Sequence, residues 1–314
     1  MDKDEIRFDV LKIDSEIKKS DTFQEDDIKF QFCKEYSQDQ HEQDEQIDFP
    51  KYIAKIRSKS IKYLGILSKN LKKESYGYNC YENGDEYFGQ WNKDKKEGYG
   101  IYYFKESSGD GIKDIYAGEF KNNAKSGEGI YFHISKSEQE SEILVPVDFS
   151  LAIGNFIDDN FVKGIIFTRK NGKNKLYKGK IDGEGKKEDD NAELFEDDDK
   201  VFHGIFNKNN MVEGRIVLTK DGKKENGYYF QKKGEDDVDF NYEKEGNDDD
   251  KLVNQLNEYN AAFQYEKIKD LFIDIMTIKL KISSYNDFDY MKNLNYDLDI
   301  KQKLKDQYGK YLYF

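Results

Sequence analysis

Residues 87–104, YFGQWNKDKKEGYGIYYF, are followed by a second version of the same pattern at residues 116–132, YAGEFKNNAKSGEGIYF. Each copy starts with an aromatic-x-Gly-x-aromatic segment, passes through a polar segment and returns with Gly-x-Gly and further aromatic residues. One such unit cannot bury its own apolar face, so repetition at this scale is typical of a stacked array. The repeat therefore predicts a scaffold of β-hairpins.

The alternation of side chains along a strand indicates how one unit packs. Residues i, i+2 and i+4 of an extended strand share a face, so Tyr87, Gly89 and Trp91 point the same way. The glycine leaves a space between two large rings, and we expect a ring from the next hairpin to fill it. We expect Trp91 to be buried against rings such as Tyr102 or Phe120. The polar segments carry the Asn, Asp and Lys typical of hairpin loops.

The two copies resemble the MORN repeat (membrane occupation and recognition nexus), whose pattern is close to Tyr-x-Gly-x-aromatic, a short polar loop and Gly-x-Gly. The resemblance weakens along the chain but extends over residues 76–232. Longer intervals between the first lead glycines predict insertions at residues 106–114 and 135–148. The framework positions that the resemblance assigns are Tyr87, Gly89, Trp91, Gly98, Gly100, Tyr116, Gly118, Phe120, Gly127, Gly129, Gly154, Phe156, Tyr177, Gly179, Phe202, Gly204, Phe206 and Gly214.

The resemblance also implies a fold and a function. The expected fold is mainly β, an elongated twisted antiparallel sheet of stacked hairpins with flanking N- and C-terminal α-helices. MORN-repeat subunits of axonemal radial spokes have a similar build. The resemblance thus implies a non-catalytic scaffold in the cytoskeleton of a cilium, with other proteins of a large microtubule-associated assembly as partners and with neither nucleic acid nor a small-molecule substrate. The alternatives are a membrane-apposed adaptor and a regulatory partner of an enzyme or calcium sensor.

Composition favours a protein of the cell interior. The chain has 314 residues and a net charge of -13, which opposes docking on anionic lipid. Its two cysteines, Cys33 and Cys80, suggest no disulfide framework and thus a reducing compartment. Residues 1–5 lack the features of a secretory signal, and no apolar run approaches the roughly 20 residues that span a bilayer. We expect a soluble cytoplasmic or cytoskeletal protein.

Charge distribution divides the chain into four predicted parts. Residues 1–49 contain 16 acidic and 7 basic residues and are expected to form an extended or disordered arm. Residues 50–75 are predicted to form a basic amphipathic helix. Residues 76–232 form the repeat array, and residues 233–314 form an acidic linker and a C-terminal helical region.

The basic segment supplies the predicted partner-binding residues. Residues 50–73 contain eight Lys or Arg and no acidic residue, and their apolar residues recur near helical spacing after Pro50. Such a helix suits lipid headgroups, a calmodulin-like partner or a polymer surface. Alternatively, it packs on the first repeat with its charges against the acidic tracts of this chain. The candidates are Lys55, Arg57, Lys59 and Lys62.

The C-terminal region carries a second helical pattern. Apolar residues from Leu252 to Met276 follow a helical rhythm with a break near Ala261, and a further helix is predicted through residues 300–312. We expect the first stripe to cap the end of the array or to form a dimer or partner seam.

Catalytic and ligand-binding motifs are absent from the sequence. His41, His133 and His203 lie in unrelated contexts, away from any nucleophile motif. No dinucleotide or phosphate-loop fingerprint occurs. Residues 237–241 imitate the start of a calcium loop, but Tyr242 stands where that loop needs glycine. The sequence therefore predicts no catalytic, cofactor-binding or metal-binding residues, and no enzyme.

Overall fold

The structure is a computed structural model of the whole chain. It describes residues 22–25, 28–36, 51–57, 62–68, 70, 72–105, 112–140, 143–196, 200–220, 223–231, 238–241, 254, 258–259 and 261–284. Side chains are described for most of residues 63–217 and 258–278.

Strands make up nearly all of the described chain, and a single long helix follows them. The helix is α1 (Tyr265–Ser284). The strands are β1 (Thr22–Glu25), β2 (Ile28–Tyr36), β3 (Lys51–Arg57), β4 (Lys62–Leu67), β5 (Lys73–Cys80), β6 (Glu86–Asn92), β7 (Lys95–Lys105), β8 (Ile112–Lys121), β9 (Ala124–Glu140), β10 (Ile143–Ile157), β11 (Asn160–Lys170), β12 (Lys173–Lys180), β13 (Asp189–Glu196), β14 (Lys200–Asn207), β15 (Asn210–Lys220), β16 (Lys223–Gln231) and β17 (Val238–Asn241).

The sheet is a meander in which every strand pairs antiparallel with the next strand of the chain, from β1 to β17. Short polar turns connect most neighbours, as the repeat predicted. The predicted antiparallel sheet of hairpins is therefore confirmed, together with the C-terminal helix.

A row of glycines crosses the sheet at one level. Framework glycines other than Gly98 and Gly127, which face Phe120 and Phe156, lie opposite a glycine of a neighbouring strand, so two Cα atoms without side chains meet at each such pairing. The facing pairs are Gly65–Gly77, Gly77–Gly89, Gly89–Gly100, Gly100–Gly118, Gly118–Gly129, Gly129–Gly154, Gly154–Gly164, Gly164–Gly179 and Gly204–Gly214. The repeat of the sequence is thus a repeat of this contact.

The lead tyrosine of a unit lies over the glycine pair of the same unit. A Cβ built on Gly118 would be 2.6 Å from the Tyr116 hydroxyl oxygen, and one built on Gly129 would be equally close to it. The expectation that a ring of the next hairpin fills this space is wrong, because the ring folds back from two residues earlier. The tyrosine hydroxyl then donates a hydrogen bond of 2.8–2.9 Å to the carbonyl oxygen of the residue three positions later. This bond occurs in the pairs Tyr63–Ile66, Tyr87–Gln90, Tyr116–Glu119 and Tyr177–Lys180.

The two glycines of Gly-x-Gly have different physical roles. Gly127 has φ 66° in a bulge of β9, a left-handed conformation that glycine adopts without strain. Gly129 instead lies beneath Tyr116. In the next unit Gly164 faces Gly154, so it corresponds to the second glycine, and its bulge is shorter.

The unit led by Gly179 departs further from the pattern. Gly183 and Gly185 lie in the connection between β12 and β13, and a Cβ built on either would meet nothing within 4 Å. They are therefore turn glycines and not framework glycines. Ala192 takes the place of a glycine opposite Gly204.

Turn residues join successive hairpins to each other. In the turn after β8, Asn122 and Asn123 have φ 51° and 77°, as a two-residue type I′ turn requires. The backbone N–H of Lys96 donates a hydrogen bond to Asn123 Oδ1 (2.8 Å), and the Asn123 N–H donates to the Lys96 carbonyl (3.0 Å). The same double contact joins Asp94 to Lys73, Asp159 to Lys125 and Asn209 to Lys187.

The predicted insertions have two different outcomes. Residues 135–148 do not interrupt the sheet, since they lengthen β9 and β10 into a hairpin whose pairing runs from Gly127–Phe156 to Glu140–Ile143. Residues 106–111 lie outside the described part of the chain.

Helix α1 covers one face of the sheet. Its buried residues Ile268, Leu271, Phe272, Ile275 and Ile278 follow helical spacing and share one core cluster with strands β6 to β15. Hydrogen bonds from the Tyr103 hydroxyl to the Ile275 carbonyl (2.9 Å) and from the Tyr265 hydroxyl to the Pro146 carbonyl (3.1 Å) attach the helix to β7 and to the long hairpin. The helix thus packs on the face of the array, whereas the sequence suggested an end cap or a partner seam. The further helix predicted at residues 300–312 lies outside the described residues.

The predicted N-terminal helix at residues 50–75 is wrong. Its described residues form β3, β4 and the start of β5. The segment contains an unrecognised repeat unit, in which Tyr63 covers the facing Gly65 and Gly77. Apolar residues in so short a segment fit both helical and strand spacing, and pairing with β5 decides for the strand.

Candidate functional site

The face opposite the helix carries a chain of aromatic rings, and we call it the tyrosine face. Rings meet edge to face in Tyr63–Trp91 (6.1 Å between ring centroids), Tyr87–Trp91 (5.0 Å), Tyr87–Phe120 (5.2 Å), Tyr116–Phe120 (5.1 Å) and Tyr116–Phe156 (5.0 Å). The lead tyrosine of each hairpin thereby contacts the aromatic residue that ends the lead strand of the next hairpin. Each such contact contributes about 0.5–1.5 kcal/mol beyond the burial of area.

A second set of rings lies outside this buried chain. These rings are half-buried and pack on the same cluster: Tyr81, Tyr102, Phe104, Tyr131 and Phe161. Lysine ammonium groups lie over the rings, with Lys73 4.6 Å from the Trp91 centroid, Lys96 4.2 Å from Tyr102 and Lys125 4.8 Å from Tyr131. We call these five rings and three lysines the lysine–ring surface.

Burial changes the ionisation of these lysines. It lowers the pKa of Lys73 and of Lys96 to about 8, and it also lowers the pKa of Lys125. Nearby acidic residues such as Asp159 only partly offset this effect. The ammonium groups are thus poorly solvated, and an anionic group placed beside them would replace part of the water that burial removed.

The lowered pKa of Lys96 predicts a pH dependence of stability. Because the folded value is about 8 and the ordinary value is 10.5, the unfolded chain binds more protons between them, and stability rises with pH in this interval. The rise ends at about pH 10, where tyrosines of the unfolded chain ionise while burial raises the pKa of tyrosines such as Tyr102. We expect a smaller rise in Lys96→Met, measured by chemical denaturation across this interval. Exposed Lys95→Met is the control, and equal pH profiles for all three chains would contradict the prediction.

Beside the rings, a row of polar side chains crosses β8 to β14. Asp114, His133, Ser150, Thr168, Lys175, Glu196 and Lys200 are successive cross-strand partners. His133 Nδ1 lies 2.6 Å from the Asp114 carboxylate, but Ser150 bonds to Thr168 (3.0 Å), and no hydrogen bond joins Ser150 to His133. These described residues therefore form a polar edge and not a nucleophile–base pair.

Three of the four predicted partner-binding residues lie in strands β3 and β4, which carry none of the rings and lysines of the lysine–ring surface. Lys55 and Arg57 lie in β3, Lys62 begins β4, and Lys59 lies outside the described residues. Their role in partner binding stays a prediction, but the helix that was expected to carry them is not formed by the described residues. The sequence analysis missed Lys96 and Lys125, although both stand nine residues after a lead tyrosine, and that shared offset was the available signal.

The described residues contain neither a candidate metal site nor a candidate membrane-spanning helix. No group of three or more His, Cys, Asp or Glu side chains in this part of the chain is placed to hold a metal ion. None of the helical segments described has the length and apolar character needed to cross a membrane.

These features define a class of protein, an antiparallel array of glycine–tyrosine hairpins with one face covered by a helix and one face carrying rings and lysines. The family model for the MORN repeat matches residues 87–108 and 116–133. The two units with the clearest geometry are thus the ones that match the MORN repeat. No curated protein matches the chain.

Proposed function

We propose that this protein is a non-catalytic scaffold that binds a protein partner through the lysine–ring surface. One observation carries the proposal: the helix belongs to the core on the opposite face, and no described helix residue belongs to the ring cluster of the tyrosine face. Aromatic residues are enriched at the centres of protein interfaces, where their burial supplies much of the binding energy.

The chemistry of the surface favours an acidic partner segment. Lys73, Lys96 and Lys125 lie in successive hairpins above aromatic rings, so an elongated segment can meet several lysines at once. Carboxylates of the partner would form ion pairs at a site that already excludes part of the water, which strengthens them relative to pairs in bulk solvent.

We further propose that the assembly is microtubule-based and that it is the axoneme of a cilium. This finer assignment is supported by the resemblance to MORN-repeat subunits of radial spokes, and it places the protein in the cytoskeleton with other proteins of a large complex as partners. The sheet supplies a continuous surface from hairpin to hairpin, which suits a subunit that holds partners at fixed separation.

Charge reversal on the lysine–ring surface tests the proposal. A tagged chain in ciliated cells is expected to remain with the cytoskeleton after detergent extraction at raised salt. Lys96→Glu combined with Lys125→Glu is expected to release it, because two ion pairs with the partner become repulsive. Exposed Lys113→Glu combined with Lys121→Glu is the control and should be retained. Circular dichroism checks that both variants fold. A wild-type chain that washes out completely, or that stains only vesicles, contradicts the proposal.

A further inference from the structure

A pocket on the tyrosine face lies away from the lysine–ring surface, above the unit led by Tyr177. Its volume is about 260 Å³, and β12, β13 and β14 supply most of its walls. Pockets that enclose whole small molecules are usually about 300–1,000 Å³, so this one suits a single side chain or a group of that size.

The charged residues of the pocket are mainly cationic. Among the described residues, Lys175, Lys187 and Lys200 line it together with one carboxylate, that of Glu196. Glu196 pairs with Lys175 and, at 3.1 Å, with Lys200. Three lysines and one glutamate leave two positive charges, and one carboxylate from a ligand would balance only one of them.

Lys187 is held in place at the pocket wall. Its backbone N–H donates to Asn209 Oδ1 (2.9 Å), and its carbonyl oxygen accepts from the Asn209 N–H (3.1 Å). Its ammonium lies 4.9 Å from the Tyr177 ring centroid. No described carboxylate forms an ion pair with Lys187. Burial followed by repulsion from Lys175 lowers its pKa, and the attraction of Glu196 offsets this effect only in part. This ammonium therefore favours an added anion.

The floor of the pocket is apolar. Leu194, Phe206 and Met211 line it. Leu194 and Phe206 belong to the core of this part of the tyrosine face, and Met211 packs against that core. Such a floor accommodates the methylene or methyl groups of a side chain while the lysines contact its charged end.

We propose that this pocket binds the phosphate of a phosphorylated serine or threonine on a partner protein. A phosphate monoester carries about -1.5 to -2 charge at pH 7 and three acceptor oxygens, which matches two uncompensated positive charges and several ammonium donors. The choice of a protein as the carrier rests on the proposed function, whereas the phosphate site stands on the pocket alone.

Binding of phosphoserine to the full chain tests the site, measured by calorimetry and by shifts of the backbone amides of residues 187 and 209. We expect saturable binding of phosphoserine and of inorganic phosphate, and none of serine. Lys187→Met is expected to weaken binding by about tenfold or more, since it removes a charge-assisted hydrogen bond in a partly buried site. Lys125→Met is the control, because it also removes a half-buried lysine over a ring but lies outside the pocket.

Two further arms separate the alternatives. Asp197, Asp198 and Asp199 follow Glu196 outside the described residues, so a chain with all three changed to Asn is titrated as well. The site is overturned if neither the wild type nor this Asn variant binds phosphate. It is also overturned if Lys187→Met binds phosphate as tightly as the wild type does. Vesicles of phosphatidylcholine with and without phosphatidic acid form the other arm. The chain could bind the acidic vesicles through Lys187 and yet not bind phosphoserine. That result would assign the phosphate to a lipid and overturn the proposal that a protein carries it. None of these results depends on retention in the cytoskeleton, so the two proposals fail separately.

Discussion

Replacing Trp91 with alanine is expected to destabilise the array by about 3–5 kcal/mol, as truncation of a large buried ring does. Trp91 is 5% exposed and lies edge to face between Tyr63 and Tyr87. Its indole Nε1 donates to the Gly77 carbonyl at 3.0 Å. The change would therefore remove packing between two hairpins and leave a buried acceptor without its donor.

Trp91→Phe is the matched control for this prediction. It keeps an aromatic ring between the two tyrosines but removes the indole N–H, so the loss should be about 1–2 kcal/mol. Denaturation with urea, monitored by far-UV circular dichroism, gives both values. A loss below about 1 kcal/mol for Trp91→Ala would mean that the ring contacts do not hold the hairpins together.

Gly118→Val should destabilise the array by about 3 kcal/mol, although valine has the higher strand propensity. A Cβ at this position would lie 2.6 Å from the Gly129 Cα and 2.6 Å from the Tyr116 hydroxyl. The first of these atoms belongs to the backbone of the paired strand and cannot rotate away. The strands would therefore have to separate, and Tyr116 would also have to leave the Glu119 carbonyl and its ring partners.

The same substitution at Gly183 separates crowding from the general effect of adding a side chain. Gly183 lies in a connection where an added Cβ meets nothing within 4 Å. We expect Gly183→Val to change the free energy of unfolding by no more than about 0.5 kcal/mol. Equal effects of the two substitutions, or a higher melting temperature for Gly118→Val, would show that close approach of the strands does not require glycine at position 118.

The sequence predicted the hairpins because each signal was local. The spacing of Tyr116, Gly118 and Phe120 encodes a strand face, and the Asn122–Asn123 pair encodes a type I′ turn. The same reasoning failed at residues 50–75, where the few apolar residues fit both helical and strand spacing. The Tyr63-x-Gly65 pattern was present there, but Ser75 stands in its return strand where the clear units have the first glycine of Gly-x-Gly, and Ser75 adopts the same left-handed conformation, with φ 58°.

The sequence also misjudged which rings meet. Trp91 was expected to contact Tyr102 or Phe120, yet Tyr87 lies between Trp91 and Phe120. A ring folds onto its own glycine pair when a carbonyl three residues on can bind its hydroxyl, as Gln90 does for Tyr87. The position of this ring can be predicted only when the pairing of the strands is known, because the space that it fills lies between two facing glycines.

By itself the sequence determined the repeating unit, because the glycines, tyrosines and turn residues act within one hairpin or between adjacent strands. Tertiary structure alone decided where α1 packs, since its apolar stripe suits an array end, a partner or a sheet face equally well. The Tyr103–Ile275 hydrogen bond joins residues far apart in the chain, and it assigns the stripe to one face. That packing in turn leaves Lys96, Lys125 and the half-buried rings on the opposite face. Which face a helix covers depends on contacts between distant residues, and no local pattern encodes them.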